Sequence, residues 1–127
     1  MPLVRISLMQ GKSAHFGKQV GEIIYQAMRS AIAIPTHDHF QVITEHDHTS
    51  LIYDPTFLDI ERTDDIIVIQ ITLNEGRTLE AKKALYQEIA ERLHTALGIR
   101  TEDVFINLVE VNKENWSFGN GIAQYTQ

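Results

Sequence analysis

The sequence predicts an α+β fold: a duplicated βαβ unit that forms a four-stranded mixed sheet with two helices on one face. Two observations carry this prediction. A gapless shift of 65 residues places residues 2–45 on residues 67–110, so that Lys12 meets Arg77. Each copy also shows strand alternation, a glycine turn and then apolar residues at helical spacing. We interpret residues 1–127 as one domain of two repeats, with a long connection and a C-terminal tail.

The repeat is supported by identical or similar residues in register. Matches run through the strand, the turn, the helix and the second strand, which indicates duplication rather than chance. The clearest pairs are Leu8 with Leu73, Gly11 with Gly76, Ser13 with Thr78, Ile24 with Ile89, Asp38 with Asp103, Phe40 with Phe105 and Glu45 with Glu110.

The first repeat opens with a strand over residues 2–8, in which Pro2, Val4, Ile6 and Leu8 share one face. Gly11 marks a turn, and Ser13 is the predicted N-cap of the helix that follows. Pro35 cannot continue that helix, and residues 40–45 form the second strand. The helix carries one apolar stripe: Phe16, Val20, Ile23, Ile24, Ala27, Met28, Ala31 and Ile32.

The second repeat follows a connection over residues 46–65, which has no clean period and reads as a linker or a functional loop. Residues 66–73, rich in isoleucine and valine, form the third strand. Thr78 is the predicted N-cap of the second helix and Gly98 its C-terminal cap. Residues 104–111 form the fourth strand.

The open face of this sheet is predicted to be apolar and to be buried by oligomerisation. The pattern places Leu3, Ile43, Val68, Ile106 and Leu108 there, and no third helix is available to cover them.

Composition restricts the class of protein. The formal charge of −6 and the pI near 5.4 argue against a nucleic-acid or anionic-membrane surface. The absence of cysteine excludes disulfides, thiolate catalysis and zinc sites built on cysteine. The start of the chain does not resemble a signal peptide, and no apolar run is long enough to span a bilayer. We therefore expect a cytoplasmic protein.

Pro2 is the first residue that could carry chemistry. Removal of Met1 before a small second residue would leave a secondary amine whose direction is fixed by the proline ring. An α-amino group ordinarily titrates near ~8, and burial beside a cation would lower its pKa towards neutrality. Such an amine is a competent general base. Many chains nevertheless begin Met-Pro without any catalytic role.

Four segments together resemble the tautomerase superfamily: Pro2 at the strand start, Gly-Lys-Ser at 11–13, Glu-Gly-Arg-Thr at 75–78 and Trp-Ser-Phe-Gly-Asn-Gly at 116–121. The chain looks like the fused, double-length branch that includes malonate semialdehyde decarboxylase. In the small members, typified by 4-oxalocrotonate tautomerase, one βαβ unit is the whole subunit. The resemblance implies an N-terminal proline as acid–base catalyst, a homotrimer, and no metal or organic cofactor.

The resemblance also implies roles for individual residues. Pro2 matches the catalytic proline, and Asp38 matches an aspartate that assists it in the decarboxylase branch. Arg77 matches the arginine of the turn, which would bind a substrate carboxylate. Trp116 and Phe118 match an aromatic wall that would exclude water.

Each match has a structural alternative. Asp38 could be a strand-entry cap, as Asp103 at the equivalent position suggests. Arg77 could be a solvated charge at a helix N-terminus, although a cation is unfavourable there. The aromatic residues could simply pack the tail. One departure bears on the reaction: Glu75 stands where the characterised decarboxylase has a second arginine, which weakens the case for decarboxylation.

The histidines offer a competing hypothesis, a metal enzyme or a cupin-like binder. His37 and His39 flank Asp38, and His46 and His48 lie two residues apart, so each pair could offer imidazoles to one metal. A cupin needs an all-β barrel, and this chain shows two helical stripes. We favour solvated histidines and predict no metal site.

The sequence therefore predicts an enzyme that tautomerises a small 2-oxo acid or unsaturated carboxylate, with Pro2 as the base. Decarboxylation or hydration of a 3-oxo acid such as malonate semialdehyde is the alternative. A non-catalytic interaction protein remains a further possibility.

Overall fold

A computed structural model describes the whole chain, residues 1–127, and contains two βαβ units. No helix has the length and apolar content needed to cross a bilayer. The elements are β1 (Leu3–Met9), α1 (Phe16–Ile32), β2 (Phe40–His46), β3 (Ile67–Asn74), α2 (Leu79–Leu97) and β4 (Val104–Val111). Short 3₁₀ turns lie at Phe57–Asp59, Thr101–Asp103, Lys113–Asn115 and Gln124–Thr126.

The sheet confirms the predicted fold class. Its strand order is β2-β1-β3-β4. The strands of each unit are parallel, and β1 and β3 join the two units in antiparallel pairing. Parallel strands need a crossover connection, which α1 and α2 supply. Both helices bury their apolar stripes on the same side of the sheet, against the alternate residues of β1 and β3.

The core lies between that sheet face and the helices. Val4, Ile6 and Leu8 of β1 are at most 2% exposed. From β3, the core takes every second residue, Ile67, Ile69, Ile71 and Leu73. From the helices it takes Val20, Ile24, Tyr25, Ala27, Met28, Leu85, Ile89 and Leu93.

The predicted composition of the open sheet face is partly wrong. Ile43 pairs with Ile6, Ile106 with Ile69, and Leu108 with Ile71, so all three outer residues lie on the helix side. Leu3 and Val68 do face away from the helices. The error arose because the outer strands carry apolar residues at both parities, which hides the phase of the alternation.

The open face is instead mixed. Phe40, Val42 and Phe105 are exposed there, together with the polar side chains of Arg5, Gln70 and Asn107, and Ser7 is half-buried. Because the open face is not wholly apolar, its burial alone does not explain the predicted oligomer.

The helix caps follow the sequence in the second repeat but not in the first. The Thr78 hydroxyl accepts from the Ala81 N–H at 3.2 Å, and Gly98 ends α2 with φ of 69°. The prediction for Ser13 is wrong: α1 begins at Phe16, and its N-cap, His15, makes no side-chain bond. The Ser13 carbonyl accepts from Phe16 N–H at 3.1 Å, so the turn extends two residues beyond the predicted cap.

The connection predicted over residues 46–65 is observed over residues 47–66, and it packs on the open face. Leu51 forms a small buried cluster with Met9 and Ile66, and Tyr53 and Val68 pack against it. The Arg62 guanidinium donates to three carbonyl oxygens of the same loop, those of Asp54, Phe57 and Ile60.

The pKa of Tyr53 is expected to report a hydrogen bond within this loop. The Tyr53 hydroxyl donates to the Asp64 carboxylate at 2.6 Å, and this bond raises the pKa of Tyr53 to about 12 from 10.0. Because the folded-state pKa is raised, the stabilisation is present below pH 10.0 and is lost as pH rises towards 12. In a titration of tyrosinate absorbance, Asp64→Asn should bring this phenol back towards its ordinary value. Asp59→Asn, in the same loop, should leave it high. An unchanged titration in Asp64→Asn would contradict the assigned contact.

Candidate active site

Three chain segments meet at one edge of the sheet. Leu3, the first residue of β1, pairs with Phe40 at the start of β2 and with Thr72 near the end of β3. The register therefore brings the residues before Leu3 beside those before Phe40 and those after Thr72. This places Pro2, the α1–β2 turn and the β3–α2 turn at the same edge.

Pro2 is buried immediately before β1, which begins one residue later than predicted. The terminal amine of Met1 lies 3.5 Å from Oδ2 of Asp38. The Met1 side chain is 9% exposed and the Asp38 side chain 11% exposed, so Met1 fills the space beside this carboxylate. Removal of Met1 would open that space and make Pro2 the terminal amine.

Asp38 has one oxygen without a partner. Its Oδ1 atom is buried and makes no hydrogen bond, while Oδ2 faces the terminal amine. An unpartnered buried carboxylate oxygen is energetically costly and is one feature that marks functional sites. This carboxylate has the free capacity to accept a bond from a water, a substrate or the prolyl amine.

Asp103, the repeat counterpart of Asp38, is a structural residue. It is fully buried, and it accepts from the backbone N–H and the hydroxyl of Thr63, both at 2.7 Å. Thr63 belongs to the chain that leads into β3, so Asp103 anchors the approach to its strand. Asp38 meets the chain terminus at the corresponding place. Both carboxylate oxygens of Asp103 thus have hydrogen-bond partners, whereas one oxygen of Asp38 has none.

This difference predicts unequal effects on stability. Asp103→Asn should lower the free energy of unfolding by about 1–3 kcal/mol, because the fully buried side chain of Asp103 loses one of its two hydrogen bonds from Thr63. Asp38→Asn should cost clearly less, since one oxygen has no bond to lose. Urea unfolding of the two single variants measures both effects. Equal losses would show that the two carboxylates have equivalent structural roles.

Arg77 lies in the β3–α2 turn, between Gly76 and the N-cap Thr78. It is half-buried, and its Nη1 donates to the carbonyl oxygen of Asn74 at 3.1 Å. Its charge also reaches Glu110: the Lys82 ammonium is the main cause of the lowered pKa of Glu110, and Arg77 contributes to the same lowering. The remaining guanidinium donors of Arg77 have no protein acceptor among the hydrogen bonds of the structure.

Trp116 and Phe118 belong to the same edge. The indole N–H of Trp116 donates to Oδ1 of Asn74 at 2.7 Å, and its ring stacks on Phe118 with centroids 5.4 Å apart. Tyr125 packs edge-on against Phe118 at 5.0 Å. The tail thus attaches an aromatic cluster to the Arg77 turn.

Asn74 was not singled out from the sequence, although it joins the tail to the turn. Its side chain holds Trp116 and its carbonyl holds Arg77. A polar residue at the end of β3, directly before the Glu-Gly-Arg-Thr turn, is the only signal that could have indicated it.

Glu75, the departure noted in the sequence, is held by the segment after β4. Its N–H donates to the Val111 carbonyl at 3.0 Å, and the Asn112 side-chain amide can donate to its two carboxylate oxygens at 2.8 and 3.2 Å. The carboxylate is therefore engaged by Asn112 rather than left free beside Arg77.

The histidine pairs do not form the metal site of the competing hypothesis. His39 stacks on Tyr25, whereas His46 bonds to Thr44 and Ser50, and His48 lies 3.3 Å from Asp64. Nowhere do three histidine, aspartate or glutamate side chains converge as a metal would require. The helical layer also excludes a cupin barrel.

A groove between the two helices lies away from this edge. A cavity of about 490 Å³ separates α1 from α2 and is lined by Glu22, Gln26, Glu88 and Arg92, among others. It contains none of the site residues predicted from the sequence, and its Arg92 is already paired with Glu88 at 2.7 Å. Volume alone therefore does not locate the chemistry here.

Comparison with known proteins identifies the family of this chain. A protein-family model described as "Tautomerase enzyme" matches residues 38–119, a range that includes Asp38, Arg77, Trp116 and Phe118. The chain is 48% identical over 124 residues to probable tautomerase YusQ of Bacillus subtilis, covering 98% of each. It is 32% identical to probable tautomerase YrdN of the same species, over 98% of this chain and 96% of the other. The chain belongs to the tautomerase superfamily.

Solved structures refine the placement within that superfamily. The FG41 malonate semialdehyde decarboxylase inhibited by 3-bromopropiolate is 33% identical, with a TM-score of 0.90 over 98% of this chain and 94% of that one. A second malonate semialdehyde decarboxylase, described for its decarboxylase and hydratase activities, is 26% identical with a TM-score of 0.89, covering 98% and 95%. A fused 4-OT, described as a symmetric trimer, shares the fold at 20% identity and a TM-score of 0.77, over 98% of both chains.

Proposed function

We propose that this chain is a cofactor-independent tautomerase that uses the amine of Pro2 to convert the enol and keto forms of a small 2-oxo acid. The proposal rests on three features that lie at one edge of the sheet. They are the buried start of the chain, the Asp38 carboxylate with its unpartnered oxygen, and the Arg77 turn. The membership of the tautomerase superfamily supports the same reaction class.

The proposed step is a proton relay on Pro2. After removal of Met1, the neutral prolyl nitrogen takes the proton from the enol hydroxyl, and the enolate electrons shift towards the carbon next to the new carbonyl. The prolyl cation then returns its proton to that carbon. Because the same proton leaves oxygen and arrives at carbon, the amine is regenerated with no net consumption of acid or base.

Arg77 and the aromatic cluster support that step. The free guanidinium donors of Arg77 bind the substrate carboxylate and stabilise the enolate-like charge. Trp116 and Phe118 limit access of water, which keeps the cationic form of Pro2 less favourable. Asn74 holds the arginine turn and the indole in one arrangement.

Decarboxylation or hydration of a 3-oxo acid is the second candidate. It is favoured by the free Oδ1 of Asp38, which could orient a water molecule, and by the likeness to malonate semialdehyde decarboxylases. Glu75 counts against this candidate, because it places a carboxylate where a second cation would help to bind a small oxo-carboxylate.

The assembly proposed for this function is a homotrimer with one site per subunit. The support for a trimer is the fused 4-OT neighbour, which is described as a trimer. The open sheet face adds little support, because it is only partly apolar. Ile67 holds the position of Pro2 in the second repeat and lies within the chain, so it has no terminal amine.

The test is an assay of phenylpyruvate enol–keto conversion on protein whose intact mass shows loss of Met1. Enzymatic conversion that exceeds the buffer rate supports the tautomerase. Consumption of malonate semialdehyde without phenylpyruvate activity would move the assignment to the second candidate, and Asp38→Asn should then abolish it. Inactivity on both substrates would contradict both proposals.

A further inference from the structure

We propose that Tyr25 is a positioning residue that holds the Asp38 carboxylate beside the terminal amine; this inference rests on the function proposed for Pro2 and Asp38. Tyr25 lies on α1 and is 6% exposed. Its hydroxyl donates to the carbonyl oxygen of Thr36. Its ring stacks on the His39 imidazole, with centroids 4.2 Å apart and an interplanar angle of 8°.

These two contacts bracket Asp38 in the sequence. Thr36 precedes it by two residues and His39 follows it directly, so the Tyr25 side chain contacts the turn on both sides of the carboxylate. The Asp38 side chain contributes little to its own placement, because Oδ1 has no partner and Oδ2 faces only the amine. The Asp38 N–H bonds within the turn, to the Pro35 carbonyl at 3.2 Å.

The second repeat shows that this arrangement is not a general requirement of the fold. The positions of Tyr25 and His39 are occupied there by Ala90 and Val104, which can form neither contact. Asp103 is held instead by its own bonds to Thr63. A carboxylate that must stay free to accept bonds from reacting groups has to be located by its neighbours, and Tyr25 supplies that restraint in the first repeat only.

The experiment measures kcat and KM for phenylpyruvate enol in Tyr25→Phe, in Asp38→Asn and in the double variant. Tyr25→Phe keeps the ring but removes the donor to Thr36. We expect kcat to fall about 10-fold, because a displaced Asp38 carboxylate stabilises the prolyl cation less, with KM within about 2-fold of wild type. In the Asp38→Asn background the same change should cost nothing further, because coupled residues are not additive. Tyr86→Phe, on the surface of α2, is the matched control and should leave kcat unchanged.

His39 gives a second, conservative pair of variants. His39→Phe keeps an aromatic ring against Tyr25 and should retain the kcat of the wild type, whereas His39→Ala should lower it. A residue needed only for its imidazole would not be rescued by phenylalanine.

A readout independent of turnover is the rate at which acetic anhydride acylates the terminal amine, followed by mass spectrometry of the N-terminal peptide. Tyr25→Phe should change that rate in the same direction and by a similar factor as Asp38→Asn. Wild-type labelling and wild-type kcat in Tyr25→Phe would overturn the inference, as would an equal loss of kcat in both Asp38 backgrounds. The proposed function fails separately, if Pro2→Ala retains full activity.

Discussion

Pro2→Ala is expected to lower kcat/KM for phenylpyruvate tautomerisation by about 10²–10⁴-fold, the usual contribution of a positioned general base. The alanine variant still has a terminal amine once Met1 is removed. That amine is primary and can rotate, whereas the proline ring fixes the direction of its nitrogen. Because Pro2 lies immediately before β1, the effect should come from the site rather than from loss of the sheet.

Pro55→Ala is the matched control for this prediction. Pro55 lies in the connection between β2 and β3, and its carbonyl, which accepts from Arg62 N–H at 2.9 Å, is kept by alanine. The control should retain full activity. If Pro2→Ala were as active as Pro55→Ala, with Met1 absent from both, proline would have no role as the base.

Arg77→Gln is expected to lower kcat/KM by about 10–100-fold, mostly through KM for the carboxylate substrate. A hydrogen bond to a charged group contributes about 1.5–3 kcal/mol, and the glutamine keeps a donor without the charge. Arg77→Lys should be intermediate, since it restores the charge but not the bidentate geometry of the guanidinium.

Lys12→Gln is the matched control for Arg77. Lys12 occupies the equivalent turn of the first repeat, where it pairs with Asp65 at the opposite edge of the sheet. Activity should be unaffected by this change. A loss in Lys12→Gln equal to that in Arg77→Gln would indicate that general charge, rather than the Arg77 turn, controls substrate binding.

The sequence was sufficient for the fold because the repeat and the β1 and β3 alternation are strong local signals. The bounds of β4, residues 104–111, are those observed, and Thr78 and Gly98 cap α2 as predicted. The phase of β2 and β4 was not predictable, because Val42 and Ile43 are both apolar. Only the pairing with β1 shows which of the two faces the helices.

The site was only partly predictable for a related reason. Asp38 and Asp103 occupy equivalent positions. The sequence cannot show that only Asp103 accepts hydrogen bonds on both oxygens, from Thr63 forty residues earlier. Asn74 and Tyr25 were missed because their roles depend on tertiary contacts with Trp116 and with the turn around Asp38. Residue type and spacing identify groups that can react, whereas the residues that position them emerge from packing.

The most direct test of the central claim blocks the amine and keeps the proline. We would compare kcat/KM for phenylpyruvate enol between protein that begins at Pro2 and protein extended by Met-Gly before Pro2, each verified by intact mass. The extension turns the prolyl nitrogen into a non-basic amide and changes no other residue. We predict at least a 10²-fold loss in the extended protein. Equal activity in the two proteins would contradict the assignment of Pro2 as the base.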